Sequence, residues 1–107
     1  MVERRRFLRV GVRIFIDVFI KGDLRTRGRG VISDIGIGGM ALETKEDLEI
    51  DDVLILRFNL DVNTLFDLKG RIIRKEKKPA LIKYGIKFTK IGFFEKIRLK
   101  RFVVIHR

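Results

Sequence analysis

From Gly11 the chain alternates: Val12, Ile14, Ile16, Val18 and Ile20 are interleaved with Arg13, Phe15, Asp17, Phe19 and Lys21. A period of two marks a β-strand with one face in a core. Phe15 and Phe19 on the other side predict that the outer face is partly covered. Lys21-Gly22-Asp23 reads as a turn, and Thr26 to Ile35 returns as the second strand of a hairpin. Gly28 and Gly30 are where that strand can bulge or coil sharply. Gly38-Gly39 breaks the path before a short third strand, Met40 to Thr44, and the acidic stretch Glu46 to Asp52 is turn-like. Val53 to Leu60 gives a fourth strand, with Leu54, Leu56, Phe58 and Leu60 on one side. Phe66, Leu68, Gly70 and Ile72 give a fifth. Lys75-Glu76-Lys77-Lys78 reads as a basic turn ended by Pro79, before a sixth strand carrying Ile82, Tyr84, Ile86 and Phe88. Six strands at hairpin spacing predict a mainly β chain: a small six-stranded antiparallel barrel, closed so that no edge is exposed.

The tail from Gly92 to Arg107 has helix length and no internal Gly or Pro. Phe93, Phe94, Ile97, Val104 and Ile105 share one side of a helical wheel, interrupted by Arg101, while Leu99, Phe102 and Val103 lie elsewhere. A C-terminal helix across one barrel mouth is the expectation. Residues 1–10 carry charge without a period and read as a mobile basic arm. The organisation expected is therefore one domain over 1–107: an arm (1–10), a barrel (11–90) and a helical tail (92–107).

The chain has 107 residues, enough for one hydrophobic core, and no cysteine, which excludes disulfides and Cys-based zinc sites. No apolar run approaches the roughly 20 residues of a membrane span. A cytoplasmic location is expected. The net charge of +11 calls for an anionic partner or a shell of counterions. Residues 1–30 hold nine cations against three acids, more than half of that net charge, and eight of the nine are Arg. Arg suits bidentate contacts to phosphate or guanine better than Lys does. Charged residues at 36%, with abundant Ile and Lys, also fit a thermophile-type surface, which accounts for the total but not for the clustering.

Two motifs give the charge a direction. Arg4-Arg5-Arg6-Phe7-Leu8-Arg9 reads RRxxxR, and Asp34-Ile35-Gly36-Ile37-Gly38-Gly39 reads DxGxxG. Alone, the first is a solvated basic tail and the second a plain turn. Together, with an alternating strand between them, they resemble the ligand signature of the PilZ family, bacterial domains that bind the second messenger cyclic di-GMP. Tyr84-Gly85-Ile86-Lys87-Phe88 is similar to that family's late barrel strand, and the tail to its C-terminal helix. The resemblance implies Arg4, Arg5, Arg9, Asp34, Gly36 and Gly39 as ligand-binding residues. Arg engages the O6/N7 acceptor pair of guanine, stacks on purine faces and holds phosphate. Asp34 accepts the N–H groups on guanine's other edge. Asp34 and Gly36 are expected on one face, with Ile35 and Ile37 in the core, and Gly39 can adopt positive φ and leave room for ligand close to the backbone.

One departure stands out: the family usually carries Ser where this chain has Gly36, a lost polar contact of roughly 1 kcal/mol, less than tenfold in affinity. Arg74 stands where many members carry an aromatic near the ligand, and a guanidinium there can stack on guanine. In the family the residue before RxxxR biases ligand number. Arg4 adds a cation there, so two ligands are expected, arranged as a stacked dimer.

Catalysis finds little support, and no enzyme, metal site or cofactor is expected. His106 lies one residue from the end, Ser33 has no nearby His, and Gly36 to Gly39 lacks the Lys of a phosphate loop. The expected function is an effector or adaptor that turns cyclic di-GMP binding into a conformational change or a contact with a protein partner. Two alternatives stay open: a ligand-free relative working through protein contacts, which Gly36 favours, and a small basic barrel binding single-stranded nucleic acid. The latter wants aromatic platforms among the cations, and the Phe residues mostly follow strand alternation into the core.

Overall fold

The computed structural model describes residues 9–20, 23–61 and 64–106, with side chains described outside 23–27 and 61. Six strands follow in order: β1 (Arg9–Ile20), β2 (Asp23–Gly36), β3 (Gly39–Thr44), β4 (Val53–Asp61), β5 (Thr64–Lys77) and β6 (Ile82–Lys90). One helix, α1 (Phe93–His106), closes the chain. All pairings are antiparallel, and the sheet closes in the order β1-β2-β3-β6-β5-β4, with β1 sealed against β4. The mainly β, six-stranded barrel with a C-terminal helix is therefore the fold that the alternation predicts.

The alternating apolar positions fill the lumen. Ile16, Val18, Ile32, Ile35, Met40, Leu42, Leu54, Leu56, Phe58, Phe66, Leu68, Ile72, Tyr84 and Ile86 are all buried there. Phe58 and Phe66 stack directly across β4 and β5, their ring centroids 5.4 Å apart. The Tyr84 hydroxyl accepts from the Leu48 amide at 2.8 Å and donates to the Glu46 carbonyl at 2.7 Å, so a core side chain anchors the β3–β4 loop.

Several boundaries differ from the pattern, each for a physical reason. Strand β1 begins at Arg9, so Arg9 and Val10, expected in the arm, are strand residues; Val10 is buried in the core. Residues 1–8, the rest of the expected arm, lie outside the described residues. Strand β5 runs to Lys77 through what read as a basic turn, because Lys75, Glu76 and Lys77 pair with Tyr84, Lys83 and Ile82. The turn itself is Lys78–Leu81, closed by a 2.9 Å bond from the Lys78 amide to the Leu81 carbonyl. The outer face of β1 is only half covered: Phe19 lies under the Arg57 guanidinium, 5.3 Å from its ring centre, whereas Phe15 is 75% exposed.

Helix α1 docks the other way round from its pattern. Leu99 and Val103, with Phe102 partly buried, face the barrel, while the five-residue apolar side faces solvent. That wider face carries Arg101 at its centre, and burying it would leave a guanidinium without a partner.

Candidate functional site

Strand β2 departs from alternation just before the second motif. Ile32 and Ile35 both point into the core although they are three residues apart. The extra residue is Ser33: Ile32 pairs with Leu42 and Asp34 with Ala41, so Ser33 is bulged against β3. Against β1, two residues, Val12 and Arg13, face the single Ser33. A bulge re-aims the side chains beside it, and here it turns Asp34 outward while Ile35 stays in the core. The bulge falls three residues beyond Gly30, where the glycines pointed. Its cost is visible at the Ser33 Oγ, which is buried without a hydrogen-bond partner among the described residues.

Asp34, so aimed, meets Arg9 from the first turn of β1. Arg9 Nε donates to Asp34 Oδ1 at 2.6 Å, and its terminal nitrogen reaches the same oxygen at 2.5 Å. The side chains are 22% and 28% exposed, so the pair is partly shielded from water. Such a pair stabilises by about 1 kcal/mol at most. Both contacts use the same carboxylate oxygen, Oδ1. The two motifs, 25 residues apart in sequence, are thus joined by one contact.

The barrel register extends this contact into a row. Gly11 pairs with Asp34, Asp34 with Ala41, Ala41 with Gly85, and Gly85 with Arg74. The flanking residues Met40, Leu42, Tyr84 and Ile86 are core residues, so Ala41 and Gly85 lie on the outer face. Gly11, Ala41 and Gly85 have little or no side chain, which makes the row a low trough: Gly11 is exposed, whereas Ala41 and Gly85 are buried, with the Arg74 side chain packed over Gly85. Arg9 and Asp34 stand at one end of it and Arg74 at the other. From β2 to β5 the row spans three strand spacings, about 14 Å. A Cβ on Gly85 would lie 3.1 Å from the Arg74 guanidinium carbon, so the flat cation lies across the trough floor. Gly85 and Ala41 were invisible as site residues in the sequence; a glycine at an outward position of a strong strand was the available signal.

The remaining motif residues fall into place differently. Gly36 is buried and ends β2. Gly39 opens β3, and its φ lies outside the left-handed region, so the positive φ open to a glycine is not used here. The space that it leaves is taken by the barrel itself: a Cβ there would overlap the Ile86 carbonyl oxygen of β6. Gly39 is a close-packing glycine. Arg4 and Arg5 lie outside the described residues.

Comparison with known proteins agrees with this fold. The PilZ domain family model matches residues 3–104. Among solved structures, the Bacillus subtilis inhibitor of motility MotI/DgrA superimposes with a TM-score of 0.85 at 14% identity, over 97% of this chain and 51% of that one. This chain therefore spans about half the length of that protein. The PilZ domain of Escherichia coli YcgR with c-di-GMP gives 0.76 at 16% identity, over 97% and 92% of the two chains. The K. pneumonia MrkH–c-di-GMP complex gives 0.79 at 18%, over 98% and 52%. Among curated proteins no match was found. An arginine motif joined to an outward-turned aspartate on a closed six-stranded barrel, and a family match over nearly the whole chain, lead to one assignment: the chain belongs to the PilZ domain family.

Proposed function

We propose that this PilZ domain is a receptor for cyclic di-GMP, which it binds on the outer barrel face over the trough between Asp34 and Arg74. The observation that carries the reading is the Arg9–Asp34 pair standing at the end of a row of Gly and Ala positions. A dinucleotide of flat bases and paired phosphates wants what that row offers. It has a carboxylate beside a guanidinium for guanine N–H groups, a low floor of Gly and Ala, and the Arg74 guanidinium over that floor, which can lift and stack on a base. Arg4 and Arg5, a few residues before Arg9, bring further cations to the phosphates. The structural relatives YcgR and MrkH, whose complexes contain c-di-GMP, support the same reading. With Gly36 in place of the family's Ser, binding is weaker by less than tenfold, the worth of one polar contact. Arg4 gives the charge for a second, stacked ligand. Ligand held on this face would present a new surface to a protein partner.

A second reading draws on the Phe15 groove. Arg13, Phe15, Arg29, Arg57 and Asn59 line an open groove of about 620 Å3 on the outer face. An exposed ring among three arginines is the kind of platform that single-stranded nucleic acid uses.

Isothermal titration separates the two. Cyclic di-GMP should bind saturably and far more tightly than GMP, approaching two molecules per chain, and single-stranded DNA should not displace it. Arg5→Ala and Arg9→Ala should each weaken binding by about 1–3 kcal/mol; Arg9→Ala should also lose the Asp34 ion pair, about 1 kcal/mol of stability at most. Equal affinity for cyclic di-GMP and GMP would overturn the proposal.

A further inference from the structure

The outer side of α1 has no partner among the described residues. Phe93 and Phe94, packed edge to face, are each 72% exposed, and Ile97, Val104 and Ile105 follow them along the same side. The helix is 14 residues long, about 21 Å at 1.5 Å per residue, and the apolar residues of this side lie toward its two ends, with Arg101 between them. Lys96 and Lys100 border the stripe on one side and Arg98 on the other, with Arg101 between, all exposed. The single acid of the helix, Glu95, is turned toward the barrel, where its carboxylate accepts from the Asp67 amide at 3.2 Å and the Gly92 amide at 3.1 Å. The solvent side of α1 is therefore an apolar ridge with cations along both margins and no carboxylate.

We propose that this ridge docks on an anionic lipid surface, with the helix lying in the interfacial plane. Charge decides among the occupants. A second copy of the chain would set Lys96, Lys100, Arg98 and Arg101 against their own images, a like-charge arrangement that costs association. The stripe is a convex ridge, whereas a helix-in-groove complex needs a concave apolar partner to receive it. A planar bilayer interface fits both features at once. The Phe and Ile side chains enter the boundary of headgroups and acyl chains, and the Lys and Arg heads snorkel to lipid phosphates. No helix among the described residues is long and apolar enough to span a membrane, so the geometry is that of a helix lying on the surface. This inference stands apart from the trough, which uses other residues.

Co-sedimentation of the whole chain with vesicles tests it. Vesicles rich in phosphatidylglycerol should pull the protein down and pure phosphatidylcholine vesicles should not. Phe93→Ser with Phe94→Ser should reduce partitioning roughly tenfold or more, as should Lys96→Glu with Lys100→Glu. Ile97→Ser with Val104→Ser probes the same stripe away from the helix start and should weaken binding in the same direction. Lys77→Glu with Lys78→Glu, at the opposite end of β6 from α1, makes the same charge change and should leave partitioning nearly as in the unmodified protein. Circular-dichroism melts of each variant show that the exposed substitutions leave the fold intact. The proposal is overturned by failure to bind anionic vesicles. It is also overturned by anionic binding that ignores both apolar pairs, which would be adsorption by net charge alone. Concentration-dependent self-association lost in Phe93→Ser with Phe94→Ser, without vesicle binding, would assign the ridge to a second copy instead.

Discussion

At the scale of single residues, the second motif serves two masters. Asp34 faces outward, onto the face proposed for the ligand, whereas Gly39, five residues on, serves the barrel wall. A side chain at Gly39 would meet the backbone carbonyl of Ile86, which has no rotamer to move into. Gly39→Ala should therefore cost about 1–3 kcal/mol of stability, read as a lowered midpoint in urea. A stable variant with weakened ligand binding would show instead that Gly39 touches the ligand. The sequence made both residues visible as a motif but could not divide their labour. The division depends on the register of β3 against β6, where Gly39 pairs with Lys87 beside Ile86. The Ser33 bulge was hidden for the same reason: strict alternation would put Ile35 and Ile32 on opposite faces, and only pairing with both neighbouring strands shows where the extra residue goes.

At the scale of elements, strands with one clean apolar face were legible and elements with two charged faces were not. Strand β1 announced itself by five alternating aliphatic residues. The far end of β5 did not, because Arg74, Lys75, Glu76 and Lys77 give no period, and pairing with β6 holds them extended. That end also carries one tether of the β3–β4 loop, the Lys75–Asp47 ion pair at 2.5 Å. The hydrogen bond and charge of Lys75 hold the Asp47 carboxyl below its ordinary value, and the hydrogen bond that Lys75 donates to Asp47 raises Lys75 above its own. The stabilisation is full between the two ordinary values. It is lost on the acid side as pH falls through the depressed Asp47 value, and on the alkaline side as pH rises through the raised Lys75 value. Asp47→Asn should thus melt below the unmodified protein near neutral pH and together with it in strong acid. A difference that persists in acid would exclude the ion pair as its cause. The second tether is Tyr84. Tyr84→Phe strands the Leu48 amide and the Glu46 carbonyl, and should cost about 1–3 kcal/mol in a thermal or urea melt. A variant as stable as the parent would show that water takes over both groups.

At the scale of the molecule, closure of the barrel converts local motifs into a site. Arg9, Asp34 and Arg74 come from three strands, and only the circular order of the sheet sets them along one row. The barrel and its helix were readable from hydrophobic period, and the family from two hexamers. The trough was not, because its floor is made of residues defined by what they lack. The helix shows the limit most plainly. Its length was evident, but the side with more apolar residues is the one left in solvent, since Arg101 denies it the barrel. Two surfaces result: the trough proposed for a nucleotide and the α1 ridge proposed for lipid.

The most direct test of the central claim is an amide chemical-shift titration of the isotope-labelled domain with cyclic di-GMP. Shifts should concentrate at Arg9, Gly11, Asp34, Ala41 and Gly85, together with the Arg74 side-chain Nε–H, and leave Phe15, Arg29 and Asn59 nearly unmoved. No saturable shift, or shifts centred on the Phe15 groove with the Asp34–Arg74 row silent, would contradict the account.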